Sequence, residues 1–161
     1  MSAILQSANV VRVREALATA GIAADIIELP GAARTAQQAA EFLGCDVAQI
    51  ANSLVFRSAR DEPLLVMSSG ARRIDVERLA QFAGEPVTKA DAAFVRRTTG
   101  FAIGGVAPVG HAAPVRTLVE RSLAAHAELW AAAGHPHTVF RLSYAELARI
   151  TRGVEIQATE Y

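Results

Sequence analysis

The sequence predicts an α+β fold, and three observations carry that expectation. Short β-rich runs alternate irregularly with amphipathic helical stretches, helix-start signals recur along the chain, and neither an internal repeat nor a low-complexity linker interrupts it. The 161 residues suit one domain over 1–161, long enough to bury a real core.

The first helix is expected over residues 9–20, where Val10, Val13 and Leu17 share a face and Gly21 supplies a stop. Residues 24–29 form a short β-rich run ended by Pro30-Gly31. Thr35 and Gln38 have the capping-box spacing and open a second helix that ends at Gly44. Residues 50–58 and 63–68 read as a hairpin around a polar turn, and Leu64-Leu65-Val66-Met67, apolar on both faces, belongs in the middle of a sheet. Helices follow over 74–83, with Asp75 as N-cap and Gly84 as stop, and over 91–97. Strands are expected at 115–119, 129–133 and 138–142, with a short helix at 121–127. Ser143 and Glu146 form another capping box for a last helix to Ile150, and residues 153–157 close the sheet.

Composition narrows the function. Hydrophobic residues make up 52% of the chain, yet no apolar run reaches the ~18 to 20 residues of a membrane span. The N-terminus lacks a basic start followed by an apolar stretch, and Cys45 is the single cysteine, so a cytoplasmic protein is expected. Sixteen basic residues balance sixteen acidic ones, which argues against a basic nucleic-acid coat; neither DNA nor a membrane is an expected partner. Arginine dominates the basic residues, and Lys89 is the only lysine.

The least ordinary segment is residues 99–111, TGFAIGGVAPVGH, whose four glycines and one proline forbid a regular helix. Glycines let backbone amides approach a substrate closely, as an oxyanion-binding loop requires. No Gly-x-Ser-x-Gly elbow is present, and Cys45 at a helix C-terminus is poorly placed for a thiolate. His135-Pro136-His137 is too short to supply a zinc ligand set, so no metal and no cofactor are expected.

Three segments, in order, resemble the YbaK/EbsC/ProX-like aminoacyl-tRNA deacylases, the Cys-tRNA(Pro)/Ala-tRNA(Pro) deacylase type of synthetase-associated editing domain. They are residues 47–57 (VAQIANSLVFR), residues 64–75 (LLVMSSGARRID) and the glycine-rich segment, with Gly104 and Pro108 as the ends of a GxxxP loop. Residues 129–140 also fit, and the resemblance spans roughly 8–155. It implies a mixed, partly closed β-barrel-like sheet surrounded by helices. It also implies trans-editing hydrolysis of the ester between a small amino acid and tRNA, without a cofactor. The aminoacyl-tRNA acceptor end is then the partner, together with a tRNA synthetase as a possible second one.

On this reading Asn52 and the loop Gly104, Gly105, Val106, Ala107 and Pro108 meet the reacting ester. Thr35, Ser53, Gly70, Phe101, His135 and His137 surround the substrate, and Arg57, Arg72 and Arg73 grip the tRNA. Asn52 departs from the family, which typically carries lysine there to orient the ester and the terminal phosphate. Lys89 lies in another segment, and the sequence gives it no place beside Asn52. Two readings therefore stand: a deacylase in which asparagine acts through neutral hydrogen bonds, or a non-catalytic homologue that binds tRNA or aminoacyl groups. A small-molecule esterase with the same loop is a third.

Overall fold

The computed structural model describes residues 2–160. Five α-helices and eight strands alternate along them: α1 (Ala8–Thr19), β1 (Ile27–Glu28), α2 (Ala36–Leu43), β2 (Ala51–Ser58), β3 (Pro63–Ser69), α3 (Val76–Ala83), β4 (Val87–Lys89), α4 (Ala92–Thr99), β5 (Arg116–Glu120), β6 (Leu129–Ala132), β7 (Thr138–Leu142), α5 (Tyr144–Thr151) and β8 (Val154–Ile156). Single 3-10 turns at Val47–Gln49 and Arg121–Ala125 complete the order; the second occupies part of the stretch expected to be a short helix.

Local chemistry sets most of the boundaries. Asp75, Asp91 and Ser143 each accept backbone N–H bonds from the first turn of the helix that follows. Gly44 and Gly84 end α2 and α3 in the left-handed conformation. At α2 the capping box is displaced by one residue: Thr35 Oγ1 accepts from Gln38 N–H at 3.2 Å, but the Gln38 side chain accepts from Arg34 N–H at 2.8 Å. Strand β4 has no counterpart in the sequence reading. Three residues after Pro86 are too few to show a period of two.

As expected, the fold is α+β with mixed strand pairing and helices packed outside, and its strands form two sheets. One has the order β4-β2-β3-β5-β8, antiparallel from β4 to β3 and parallel from β3 to β8; the other is the antiparallel set β1-β7-β6. They touch through a single parallel bridge, Ile50 to Trp130. No barrel closes: β1 and β8 each end a sheet with one neighbour, and beside β2 the β6 pairing stops at that bridge while β4 joins only from Phe56 onward. Between those points one edge of β2 has no strand beside it.

The central β3 is buried on both sides, as its apolar run predicts. Leu65 and Met67 face the main core with Val13, Leu17, Phe94, Phe101 and Phe140. Leu64 and Val66 face a second core under α3 with Leu79 and Ile156. The three-stranded sheet carries α2 through Ala39, Ala40 and Val139.

Gly70 ends β3 where α2 and the first 3-10 turn converge. A Cβ there would lie 2.6 Å from Ala36 Cβ and 2.7 Å from the Val47 carbonyl oxygen. Backbone cannot yield as a flexible side chain can, so Gly70→Ala is expected to cost about 1–3 kcal/mol. A urea midpoint equal to that of the unchanged protein, with an unchanged slope, would show that this junction relaxes freely.

Candidate active site

The gap beside β2 is a cleft of about 260 Å³. Its walls come from the start of α2 (Thr35, Ala36, Ala39), from β2 (Ala51 to Leu54), from the glycine-rich loop (Ile103, Gly104, Val106) and from β6 (Trp130, Ala131, Ala132). Alternation along β2 sends Ala51, Ser53 and Val55 to the main core side, and Asn52, Leu54 and Phe56 to the α3 side. Ser53 therefore turns away from Asn52, as strand geometry predicts, and its hydroxyl meets Met67 Sδ at 3.4 Å. Both residues still line the cleft, because the cleft runs along the strand edge and takes in both faces.

Backbone direction alternates as well. The Val55 carbonyl accepts from Ala90 N–H at 3.2 Å, on the β4 side. The Ser53 N–H and C=O point the same way, into the gap, where no strand meets them. The Asn52 side chain has no hydrogen-bond partner among the described residues. Across the ladder from it, Ser68 is 1% exposed with an unpaired hydroxyl.

The loop is held from behind. Arg12 of α1 donates from Nε to the Gly110 carbonyl at 2.6 Å, and its guanidinium lies 4.9 Å from the centre of the buried Phe101 ring. His111 Nε2 lies 2.7 Å from the Ala107 carbonyl oxygen, so that nitrogen carries the proton. Thr99 Oγ1 accepts from Phe101 N–H at 3.1 Å. Gly104 has φ +89°, a conformation that side chains resist. Gly105 packs flat on His135, whose backbone a Cβ would meet at 3.0 Å. The Gly105 N–H is spent on the Ala102 carbonyl at 2.9 Å, whereas those of Gly104, Val106 and Ala107 have no acceptor among the described residues. Gly104 and Val106 also line the cleft, so they, rather than Gly105, can present donors to a substrate.

The other expected site residues divide. His135 and His137 line a second recess that meets the cleft at Arg34, Ile103, Gly104 and Pro136. His135 Nδ1 accepts from the His137 N–H at 3.0 Å, and burial, reinforced by the neighbouring His137, lowers the pKa of His135. Phe101, Ala107 and Pro108 are buried behind the loop rather than exposed in the cleft. Gly70 is a packing point outside the cleft lining. Arg57 pairs with Asp61 at 2.8 Å and stacks on Phe94. Arg72 and Arg73 border surface recesses with Ser122 that share no residue with the cleft. Sequence reasoning placed neither Arg34, His111 nor Lys89 at the site. Lys89 and Arg34 line the cleft, and His111 secures its loop. Among the described residues no three His, Cys, Asp or Glu side chains gather to hold a metal, and no helix is long and apolar enough to cross a membrane.

Comparison with known proteins places this architecture in a class. The family model of the aminoacyl-tRNA editing domain matches residues 31–150, which include every strand of the cleft and the whole loop. The chain belongs to the aminoacyl-tRNA editing domain family. It is 30% identical over 127 residues to the uncharacterized protein YwhH of Bacillus subtilis (strain 168), covering 79% of this chain and 81% of that one. A proposed trans-editing enzyme for prolyl-tRNA synthetase superposes with TM-score 0.90 at 38% identity, covering 96% of this chain and 99% of the other. The hypothetical protein APE2540 follows with TM-score 0.86 at 26% identity, covering 92% and 99%.

Burial lowers the His111 pKa from its ordinary 6.5; the bond to Ala107 opposes the shift and Arg12 adds to it. Below 6.5 the unfolded chain then binds a proton that the folded one resists. Stability is expected to be fully present above that value and to fall as pH drops through it. Replacing His111 by Gln should flatten this part of the pH profile of the urea midpoint. An unchanged slope between pH 7 and 5 would assign the effect to His135 or to the carboxylates.

Proposed function

We propose that this chain is a trans-editing aminoacyl-tRNA deacylase, hydrolysing the ester that joins a small amino acid to the terminal ribose. One observation carries the reading: unspent N–H groups of Gly104 and Val106 and the open edge of β2 face each other across one small cleft. An ester carbonyl held there would direct its developing oxyanion at the loop, where each preorganised donor contributes roughly 3–4 kcal/mol. The Ser53 carbonyl suits the α-ammonium of the amino acid, and the Asn52 amide can hydrogen-bond the ester. Alanines at 33, 36, 39, 51, 131 and 132 contribute to the walls of a cleft of about 260 Å³, which fits a small side chain.

The cleft lining contains no carboxylate and no imidazole. An aminoacyl ester is already activated, so positioning carries much of the work, and the neighbouring ribose hydroxyl can orient the attacking water. Water adds to the carbonyl carbon, the tetrahedral oxyanion collapses, and the ribose oxygen leaves with a proton. The products are the free amino acid and uncharged tRNA.

The test is deacylation of a panel of aminoacyl-tRNAs by the unchanged protein and by Asn52→Ala, Asn52→Lys and Gly104→Val. Gly104→Val keeps the N–H but strains a backbone at φ +89°; displacing that donor is expected to lower kcat roughly 10²–10³-fold. Asn52→Ala should reduce turnover, with thermal melting showing both variants folded. An unchanged protein inert on every substrate, with only Asn52→Lys active, would identify a binding module instead.

A further inference from the structure

The family position expected to carry positive charge is Asn52, yet the cleft is not without a lysine. The only lysine of the chain, Lys89, lines it. Strand β4 delivers it there: Lys89 pairs with Phe56, and Ala90 N–H bonds the Val55 carbonyl at 3.2 Å. Directly paired residues project to the same face of a sheet. Lys89 thus lies on the face of Phe56, Leu54 and Asn52, four residues and about 13 Å along the strand from Asn52.

Its ammonium is exposed and makes no ion pair or hydrogen bond among the described residues. The nearby carboxylates are engaged elsewhere. Asp61 holds Arg57, and Asp91 caps α4 by accepting from Phe94 N–H at 2.9 Å. An unpaired cation on a flexible stem at the far end of the cleft is suited to an anion that lies beyond the ester. In an acceptor end the nearest such anion is the phosphodiester on the other side of the terminal ribose.

We propose that Lys89 binds the last phosphodiester of the acceptor end, so that the phosphate contact falls to Lys89 and the ester contact to Asn52. The inference rests on the deacylase reading for its ligand but not for its readout. Lys89 is a positioning residue: it holds the nucleotide while neutral Asn52 serves the ester.

The experiment is binding of a CCA-ended RNA microhelix by fluorescence anisotropy. The microhelix carries either a normal or a neutral methylphosphonate linkage at the last position. Lys89→Gln is expected to weaken binding of the normal RNA roughly fivefold, as one exposed charge contact does, and to lower the salt slope by about 0.7. Lys89→Arg should restore both. On the methylphosphonate RNA, Lys89→Gln and the unchanged protein should bind alike. Equal weakening on the two RNAs, no weakening on either, or no binding by the unchanged protein overturns the proposal. A protein that binds in the expected pattern but releases no amino acid in the deacylation panel supports Lys89 and sinks the deacylase reading. One that deacylates while Lys89→Gln ignores the linkage does the reverse.

Discussion

A loop that keeps backbone N–H groups unspent at the rim of a cleft cannot be held by secondary structure, because a helix or a ladder would consume those groups. The segment from Gly100 to His111 meets this constraint by being fixed through everything except the donors that face the cleft. Arg12 holds the Gly110 carbonyl, His111 holds the Ala107 carbonyl, and Thr99 holds Phe101. Phe101 itself is fully buried. All of these anchors take carbonyls or ring faces, or N–H groups at the loop's margins. The N–H groups of Gly104 and Val106 are left without acceptors among the described residues, as donors kept for a ligand must be.

The second wall follows from the same economy of pairing. β2 is fully paired to β3 along one edge, from Ala51 to Arg57. On the other edge it meets β6 at one bridge and β4 from Phe56 onward. The interval between, Asn52 to Leu54, is a half-buried strand edge, and the cleft occupies it. Filling the interval with a strand would pair this edge and abolish the cleft. The open junction between the two sheets and the cleft are one feature.

Much of this architecture was legible in the sequence. The helix starts at Asp75, Asp91 and Ser143 follow from local side-chain chemistry, and the central position of β3 follows from an apolar run with no polar face. What escaped was non-local. The sequence shows that residues 104–108 are rich in glycine, but not that the Gly105 N–H turns inward to Ala102. It shows a histidine at 111, but its role depends on a carbonyl whose direction the fold decides. How the strands divide into two sheets is likewise set by register, not composition, because pairing decides where each ladder stops. Lys89 was invisible as a site residue because β4 is three residues long, and its place is fixed by pairing across more than thirty residues of chain.

That last case bears on how a substituted position should be weighed. A neutral asparagine at position 52 leaves one point of the strand without charge, but a cleft is read by its ligand as a field and a set of donors. Two cations, Lys89 and Arg34, remain on the lining, and no carboxylate there offsets them. A neutral side chain beside the ester also avoids burying an ammonium against the apolar alanine walls, where an unpaired charge is costly. Each group sits where desolvation suits it: the Lys89 ammonium in water at the rim, the Asn52 amide half-buried along β2. The neutral side chain at position 52 therefore leaves a cleft that still carries positive charge, at Lys89 and Arg34.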